Sequence, residues 1–416
     1  MKTYYIWTIG CQMNKSESER LGSYLEDQGY LPSESADVAD LIILNSCVVR
    51  QSAENRVVNK LHALKAIKNQ RPHIKIALTG CIVDSDNEKL KKSFPFVDYF
   101  FQAGVFPGWL GEYDIEKMIP RCPQVATYVP IMQGCNNFCS YCIVPYRRGR
   151  ERSRTIAEIL KEVQGLVKNG VKEVTLLGQN VDSYGHDLPD KPDLADLLYR
   201  LNSQEDLLRI RFLTNHPKDM KPKLIEAVAS LNKVCEQINL PVQAGDDDIL
   251  NAMHRGYSVR HYRDLISEIR SQIPRIALST DIIVGFPGET EAQFQNTLSL
   301  ISEIRFDMVH VAAYSPRPGT LAARTLEDNV RPEDKKARLE KIEQIQAQIA
   351  REKNTSLLDT VVEILVEGQE KGKWYGRSRT DKLVFFNSKG DYKARLTPVK
   401  ITHTSPWSLS GELHPD

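Results

Sequence analysis

Three cysteines fall within one short segment, Cys135-Asn136-Asn137-Phe138-Cys139-Ser140-Tyr141-Cys142, and that segment directly follows a strand-like run at 127–131. Whatever the chain folds into must deliver three thiols together at the end of a β-strand. Other cysteines repeat the theme. Cys11 follows an aromatic and β-branched run at 4–8, Cys47 follows Leu41-Ile42-Ile43-Leu44, and Cys81 follows residues 74–78, closed by Gly80. Helical patterns separate these runs, one at 18–28 with Ser16 as cap and Gly29 as stop, the next at 53–69. Such alternation predicts an open parallel sheet covered by helices, with ligands gathered at the carboxyl ends of its strands. Cys122 and Cys235 lack this company and read as a linker thiol and a packed core residue.

A stretch with several Pro and Gly residues at 104–123 reads as a linker. Beyond it a second βα series runs through strands at 127–131, 173–177, 209–213, 237–240, 278–284 and 308–314, with amphipathic helices such as 156–168 and 261–271 between them. Six βα units predict a partial (β/α)6 barrel whose functional loops lie at the carboxyl end of the strands. A long polar helix at 332–354 precedes short alternating strands at 361–366, 374–377, 383–386 and 392–396, with turns at Glu367-Gly368 and Lys389-Gly390. That pattern predicts a small antiparallel β-barrel. The expected class is therefore α/β, with domains at 1–120, 121–350 and 351–416. The length of 416 residues agrees, at roughly 150 residues per domain.

Composition narrows the setting. With 41% hydrophobic and 26% charged residues, the chain reads as a soluble globular protein. It has no apolar run of about 18 residues, and its start, MKTYYIWTIGCQ, lacks a basic-then-apolar leader, so a cytoplasmic protein with no membrane partner is expected. Thiols stay reduced there, which makes ligands or core residues of the cysteines rather than disulfides. The formal net charge is only +1, so any nucleic acid must be met by local patches.

Three thiolates as close as Cys135, Cys139 and Cys142 suit an iron–sulfur cluster, whose irons prefer soft sulfur ligands. With three cysteines on a four-iron cube, one iron keeps an open position. That position can chelate the amino and carboxylate groups of S-adenosylmethionine and pass it an electron, and cleavage then gives an adenosyl radical. A zinc knuckle is the plainer alternative, but zinc commonly takes four ligands as two pairs, and no histidine lies in the run. Cys11, Cys47 and Cys81 are weaker one by one, since a lone free cysteine is most often a buried apolar residue. At three successive strand ends they predict a second three-thiol site, whose open iron would hold sulfur.

Four segments carry a family likeness: Gly10-Cys11-Gln12-Met13-Asn14, Asn45-Ser46-Cys47, Tyr141-Cys142-Ile143-Val144-Pro145-Tyr146 running on to Arg147-Arg148-Gly149-Arg150-Glu151, and Leu176-Leu177-Gly178-Gln179-Asn180-Val181. They resemble the signatures of the radical S-adenosylmethionine methylthiotransferases, and the likeness extends over the whole chain to a final TRAM domain. Among the branches of that family they look most like the one acting on N6-isopentenyladenosine in tRNA. The short connection between sheet domain and barrel, and the brief carboxyl terminus, depart from the family pattern without touching a motif. The resemblance implies two [4Fe-4S] clusters, on Cys11, Cys47 and Cys81 and on Cys135, Cys139 and Cys142, and two S-adenosylmethionine molecules. One would methylate sulfur held at the first cluster. The other would be cleaved at the second, and its radical would take hydrogen from carbon 2 of the adenine at position 37 of the anticodon loop. It also implies tRNA as partner, an electron donor such as flavodoxin or ferredoxin, and a monomer. Alternatives within the family are threonylcarbamoyl-adenosine in tRNA and an aspartate of a ribosomal protein. Outside it stands a zinc-stabilised RNA-binding protein without catalysis.

The barrel's carboxyl-end loops supply the remaining candidates. By resemblance, Tyr141, Gly178, Gln179, Asn180, Gln243, Thr280, Asp281 and Gly285 are expected to contact the cofactor, although Gly285-Phe286-Pro287-Gly288-Glu289 taken alone is only a turn signal. The basic run Arg147, Arg148, Arg150, Arg152 and Arg154 is expected to clamp RNA phosphates rather than merely solvate a surface. In the terminal barrel, Lys371, Lys373, Trp374, Tyr375, Arg377 and Arg379 interleave cations with aromatics, which fits RNA binding. One of Trp374 and Tyr375 should instead pack the core, because they alternate faces. His216 reads equally as an active-site or a structural histidine.

Overall fold

The computed structural model describes residues 1–49, 51–84 and 86–414. At its amino end, β1 (Thr3–Thr8), β2 (Leu31–Pro32), β3 (Leu41–Ser46), β4 (Lys75–Gly80) and β5 (Tyr99–Phe100) make one parallel sheet in the order β2-β1-β3-β4-β5. Every residue of β3 is buried, as the apolar run of a central strand covered on both faces requires. The crossovers are α1 (Gln12–Asp27), α2 (Gln51–Gln70) and α3 (Glu88–Ser93). α1 starts at Gln12, not at 18, and Cys11 takes the cap position expected of Ser16. The missed turn, residues 12–17, buries Asn14 and Ser16 beside a single apolar residue, Met13, so no apolar period marks it. Ser16 donates instead to the Tyr128 carbonyl at 3.0 Å. Residues 104–123 are no slack linker. Phe106 meets Tyr24 edge-on at 4.7 Å and Trp109 stacks on Tyr99 at 4.4 Å, which ties the stretch to α1 and β5.

The central unit opens with β6 (Ala126–Pro130), followed by a small hairpin of β7 (Met132–Gln133) and β8 (Arg152–Ser153) that brackets the cysteine segment and α4 (Val144–Arg148). Then come α5 (Ile156–Lys168), β9 (Glu173–Leu177), α6 (Leu194–Asn202), β10 (Arg209–Phe212), α7 (Pro222–Ser230) and β11 (Gln237–Asn239). α8 (Asp247–Ala252), α9 (Val259–Gln272), β12 (Ala277–Val284), α10 (Glu291–Ile304), β13 (Met308–Ala313), α11 (Leu321–Thr325) and α12 (Pro332–Thr355) complete it. The six long strands form two parallel sheets, β6-β9-β10 and β11-β12-β13, which touch through a single bridge at Ile210 and Val234. The barrel is therefore partial, as expected. Leu176, Ile210, Ile238 and Leu278 from the strands interlock with Leu197, Leu198, Ile269 and Ile301 from the helices in one continuous core, and the lone thiol Cys235 is buried beside β11.

β14 (Val361–Glu370), β15 (Lys373–Ser378), β16 (Leu383–Phe386), β17 (Leu396–Thr404) and β18 (Leu409–Leu413) close a five-stranded barrel in the order β14-β15-β16-β18-β17. Two expectations fail here. Residues 392–396 are a turn leading into β17, because Tyr392 folds inward against Phe386 and Trp374. β18 was not foreseen, and it pairs parallel with β16, so the barrel is not wholly antiparallel. This barrel docks under the amino ends of the central strands. Arg211 of β10 donates to the Ser378 and Arg379 carbonyls at 2.6 and 2.8 Å, Arg209 donates to the Arg377 carbonyl at 2.5 Å, and Arg379 forms a fork onto Glu236. Among the described residues no helix is long and apolar enough to cross a membrane.

Candidate active site

The first three cysteines sit just past β1, β3 and β4, at the carboxyl edge of the sheet. Glycines let their loops come close. A Cβ on Gly10 (φ +135°) would lie 2.8 Å from the Cβ of Cys47, and one on Gly80 (φ +92°) would lie 2.2 Å from the Ser46 carbonyl oxygen. Asn14, fully buried, bolts the loops together by donating to the Ile9 and Ser46 carbonyls at 3.1 and 2.9 Å. Cys11 is exposed at the cap of α1, while Cys47 and Cys81 are buried. Burial pushes the Cys47 thiol up to about 11, and the Cys11 and Cys81 thiols add to the rise. The three groups thus feel one another.

The second trio rides on the hairpin loop. Gly134 (φ +82°) precedes it, and a Cβ there would lie 2.1 Å from the Arg150 carbonyl oxygen. Its amide donates to the Gln179 side chain at 2.6 Å. Ser140 donates from its backbone to the Met253 carbonyl and from its hydroxyl to the Ala252 carbonyl, at 3.0 and 2.7 Å. The loop is therefore fixed at several points. Burial pushes Cys135 up to about 11 and Cys142 up to about 12, so metal binding here must displace protons. Among the described residues no three His, Cys, Asp or Glu side chains converge closely enough to hold a single metal ion, and that includes both cysteine trios. Three thiols on each of two sets of loops, Cys11 exposed and the other five buried or half-buried, suit iron–sulfur cubes with one open corner.

α4 joins the trios. It begins two residues after Cys142 and carries Arg147 to Asp84, three residues beyond Cys81. Its Arg148 donates to Glu17 at 2.6 Å and to the same Asn14 at 2.9 Å. Burial raises the Cys81 thiol above its ordinary value, and the Arg148 guanidinium offsets part of that rise.

The expected cofactor residues divide. Asn180 is buried at the mouth of the barrel, donating to Asp219 at 2.7 Å, and joins a polar nest with Asp182, Asn215 and His216. Burial pushes the Asp182 carboxyl up to about 7 and the His216 imidazole down to about 2. The buried Asn180 Oδ1, Asn215 Oδ1 and His216 Nε2 have no protein partner. Gln243 (φ +73°) has its backbone paired with Asp281 and Ile283. Tyr141 packs against the barrel core. Others serve the scaffold. Thr280 donates its hydroxyl proton to the Leu240 carbonyl and accepts from the Val242 amide, at 3.0 and 2.9 Å. Gly285 gives its amide to Glu289, and a Cβ there would lie 2.3 Å from Lys335. Gly178 is bare so that Met132 can pack against it. A cavity of about 280 Å³ opens between α1 and the hairpin, lined in part by Met13, Phe106, Met132 and Arg154, but by none of the six cysteines.

Most of the expected RNA contacts have partners within the protein. Arg148 has a side chain only 2% exposed and is neutralised by Glu17. Arg147 is taken by Asp84, and Arg154 by Glu162 and the Pro130 carbonyl. Trp374 is core, Arg379 latches two domains, and Arg377 pairs with Asp381 at 3.1 Å. Arg150, Arg152 and Lys373 remain exposed, with Tyr375 half-exposed. The sequence reading missed Asn14, Gly134, Asp182 and Arg255. A glycine directly before the cysteine segment and the place of Asn14 in the signature at 10–14 were usable signals; Asp182 and Arg255 had none.

Residues 129–301 match the Radical SAM superfamily, and residues 3–102 match Uncharacterized protein family UPF0004. A tRNA-2-methylthio-N(6)-dimethylallyladenosine synthase of Dehalococcoides mccartyi is 54% identical over 413 residues, 99% of each chain. One from Roseiflexus sp. is 49% identical over 426 aligned positions, 99% of this chain and 90% of that one. In fold, the radical S-adenosylmethionine methyltransferase TsrM of Kitasatospora setae, solved with cobalamin and a [4Fe-4S] cluster, superposes with a TM-score of 0.58 at 12% identity, covering 78% of this chain and 77% of that one.

Proposed function

The chain belongs to the radical S-adenosylmethionine tRNA methylthiotransferases, and from that membership we propose how its own residues divide the work. The reaction is methylthiolation of carbon 2 of N6-isopentenyladenosine at position 37 of the anticodon loop. Cys11, Cys47 and Cys81 hold one cluster, and Cys135, Cys139 and Cys142 hold the other. When bound, the clusters and S-adenosylmethionine supply one-electron cleavage to an adenosyl radical and a sulfur that can be methylated. Everything else falls to the chain. Gly134, Gln179 and Ser140 fix the second trio, while Gly10, Asn14 and Gly80 fix the first. The nest of Asn180, Asp182, Asn215 and His216 offers unpartnered polar atoms to bound molecules and sits in a mouth that keeps water from a radical. An aromatic C–H bond has no acidic proton, so the chain needs no side-chain base to break it. Exposed Arg150 and Arg152 meet RNA beside the thiols, and Lys373 with Tyr375 meets it on the terminal barrel. The protein works as a cytoplasmic monomer, with electrons from a flavodoxin or ferredoxin.

The observation that carries this reading is α4, which ties both trios into one body through Arg147 and Arg148. The test is anaerobic, reconstituted protein with S-adenosylmethionine and tRNA bearing N6-isopentenyladenosine, read by mass. The gain of a methylthio group is expected on that base. It is not expected on threonylcarbamoyl-adenosine or on a ribosomal protein, and product on either alone overturns the substrate assignment. Cys139→Ala should stop cofactor cleavage, whereas Cys47→Ala should spare cleavage and stop sulfur insertion. Product from the Cys47 variant would refute the role given to the first trio.

A further inference from the structure

Arg255 lies in the turn after α8, between two residues in the left-handed region, His254 (φ +56°) and Gly256 (φ +73°). Its residue exposure is 5%. All three nitrogens of its guanidinium are used: Nε donates to the Tyr257 hydroxyl at 3.0 Å, Nη2 to the Pro241 carbonyl at 3.0 Å, and Nη1 to the Cys139 sulfur at 3.2 Å. Tyr257 is itself held, donating to the Val242 carbonyl at 2.9 Å. The same turn receives Ser140 of the cysteine loop, so arginine and thiol keep a fixed separation.

Every other partner is neutral. Among the described residues Arg255 enters no ion pair, unlike the buried Arg148, Arg211 and Arg338, each of which has a carboxylate. A guanidinium cannot shed its charge in a protein, and a buried charge without a counter-ion is strongly disfavoured. What faces it is a thiol of the second trio. With three thiolates on a four-iron cube, the assembly is anionic when oxidised and gains a further negative charge on reduction. A nearby cation and an N–H···S bond therefore favour the reduced state, and hydrogen bonds to sulfur are among the factors that set the potentials of such clusters.

We propose that Arg255 is a positioning residue that provides the buried counter-charge for the Cys135, Cys139 and Cys142 cluster and raises its reduction potential, so that a flavodoxin or ferredoxin can deliver the electron that cleaves S-adenosylmethionine. This rests on that trio holding a cluster. The transfer moves one electron from the reduced donor protein to the cluster and makes or breaks no bond.

The test uses the full chain with Cys11, Cys47 and Cys81 changed to Ala, so that only the second cluster is present, and follows its reduction by electron paramagnetic resonance during a redox titration. Arg255→Met should shift the midpoint to more negative potential. With reduced flavodoxin, cleavage of S-adenosylmethionine should fall at least tenfold, and a stronger chemical reductant should restore it. Arg255→Lys, which keeps the charge and loses the fork, should fall between. An unshifted midpoint in Arg255→Met overturns the proposal. If that variant fails to hold iron, Arg255→Gln, which removes the charge and keeps an N–H donor, takes its place, and an unshifted midpoint there overturns the proposal in the same way. Absence of iron in the parent itself would refute the cluster assignment and the proposal with it, an outcome distinct from an unshifted midpoint in an iron-loaded variant.

Discussion

Replacing Arg211 by Met should loosen the joint between the central and terminal barrels. Its side chain is 5% exposed and lies 2.9 Å from Glu173, which is equally buried. Removing one member of such a pair costs about 3–5 kcal/mol, because the other charge stays desolvated. The Ser378 and Arg379 carbonyls also lose their donor, and each such bond contributes about 1 kcal/mol. Undocking lets water reach Glu173 and both carbonyls, so the loss appears in the docked state and not in either barrel alone. A net loss of about 4 kcal/mol corresponds to roughly a thousandfold change in the docked-to-undocked ratio. Arg209 and Arg379 still hold the joint, so docking weakens without vanishing. The assay is amide hydrogen exchange over β10 and residues 376–382. Protection there should fall by about two to three orders of magnitude if docking limits exchange, while S-adenosylmethionine cleavage is retained at the far end. Adding Glu173→Gln should recover much of the loss, because it removes the stranded charge. Unchanged protection in Arg211→Met, or a double variant no better than the single, would refute the reasoning.

Asp182 and His216 set opposing pH dependences. Asp182 titrates near 7 when folded, so its contribution is full below the ordinary carboxylate range and is lost as pH rises through about 7. His216, pushed down to about 2, contributes above about 6.5 and loses that contribution as pH falls. Between pH 4 and 6.5 the two largely cancel. Asp182→Asn should therefore make denaturant stability rise more steeply with pH across that window, and a slope equal to the wild type's would remove Asp182 from the account. Gly134→Ala places a Cβ against the Arg150 backbone, which cannot yield. Iron content should drop by about half with the circular dichroism unchanged, and full iron would show that the loop tolerates the clash.

Much of the architecture was legible. Regular periodicity marked β9 at 173–177 and α5 at 156–168 to the residue, because each is an apolar element with its turn signals beside it. The start of α1 was hidden because it buries Asn14 and Ser16 through hydrogen bonds, which leave no apolar period. β18 was hidden because it exists only by closing a barrel with strands far along the chain. At the site, the six cysteines could be read from spacing and strand ends. The arginines could not. A charge run shows its cations and not their partners, and Arg147 and Arg148 find theirs 63 and 131 residues away. Arg255 stands alone between His254 and Gly256, with nothing nearby in sequence to suggest the sulfur it meets.

The terminal barrel covers one end of the central strands and the thiols occupy the other. Strands of five residues rise about 3.3 Å per residue, so the two ends stand roughly 17 Å apart before any side chain is added. A nucleic acid gripped by both would have to wrap the flank of the protein, and the molecule would then act as a calliper. A loop detached from its stem would fill only one jaw. Selection would then depend on the reach of the folded RNA as well as on the chemistry of a single base.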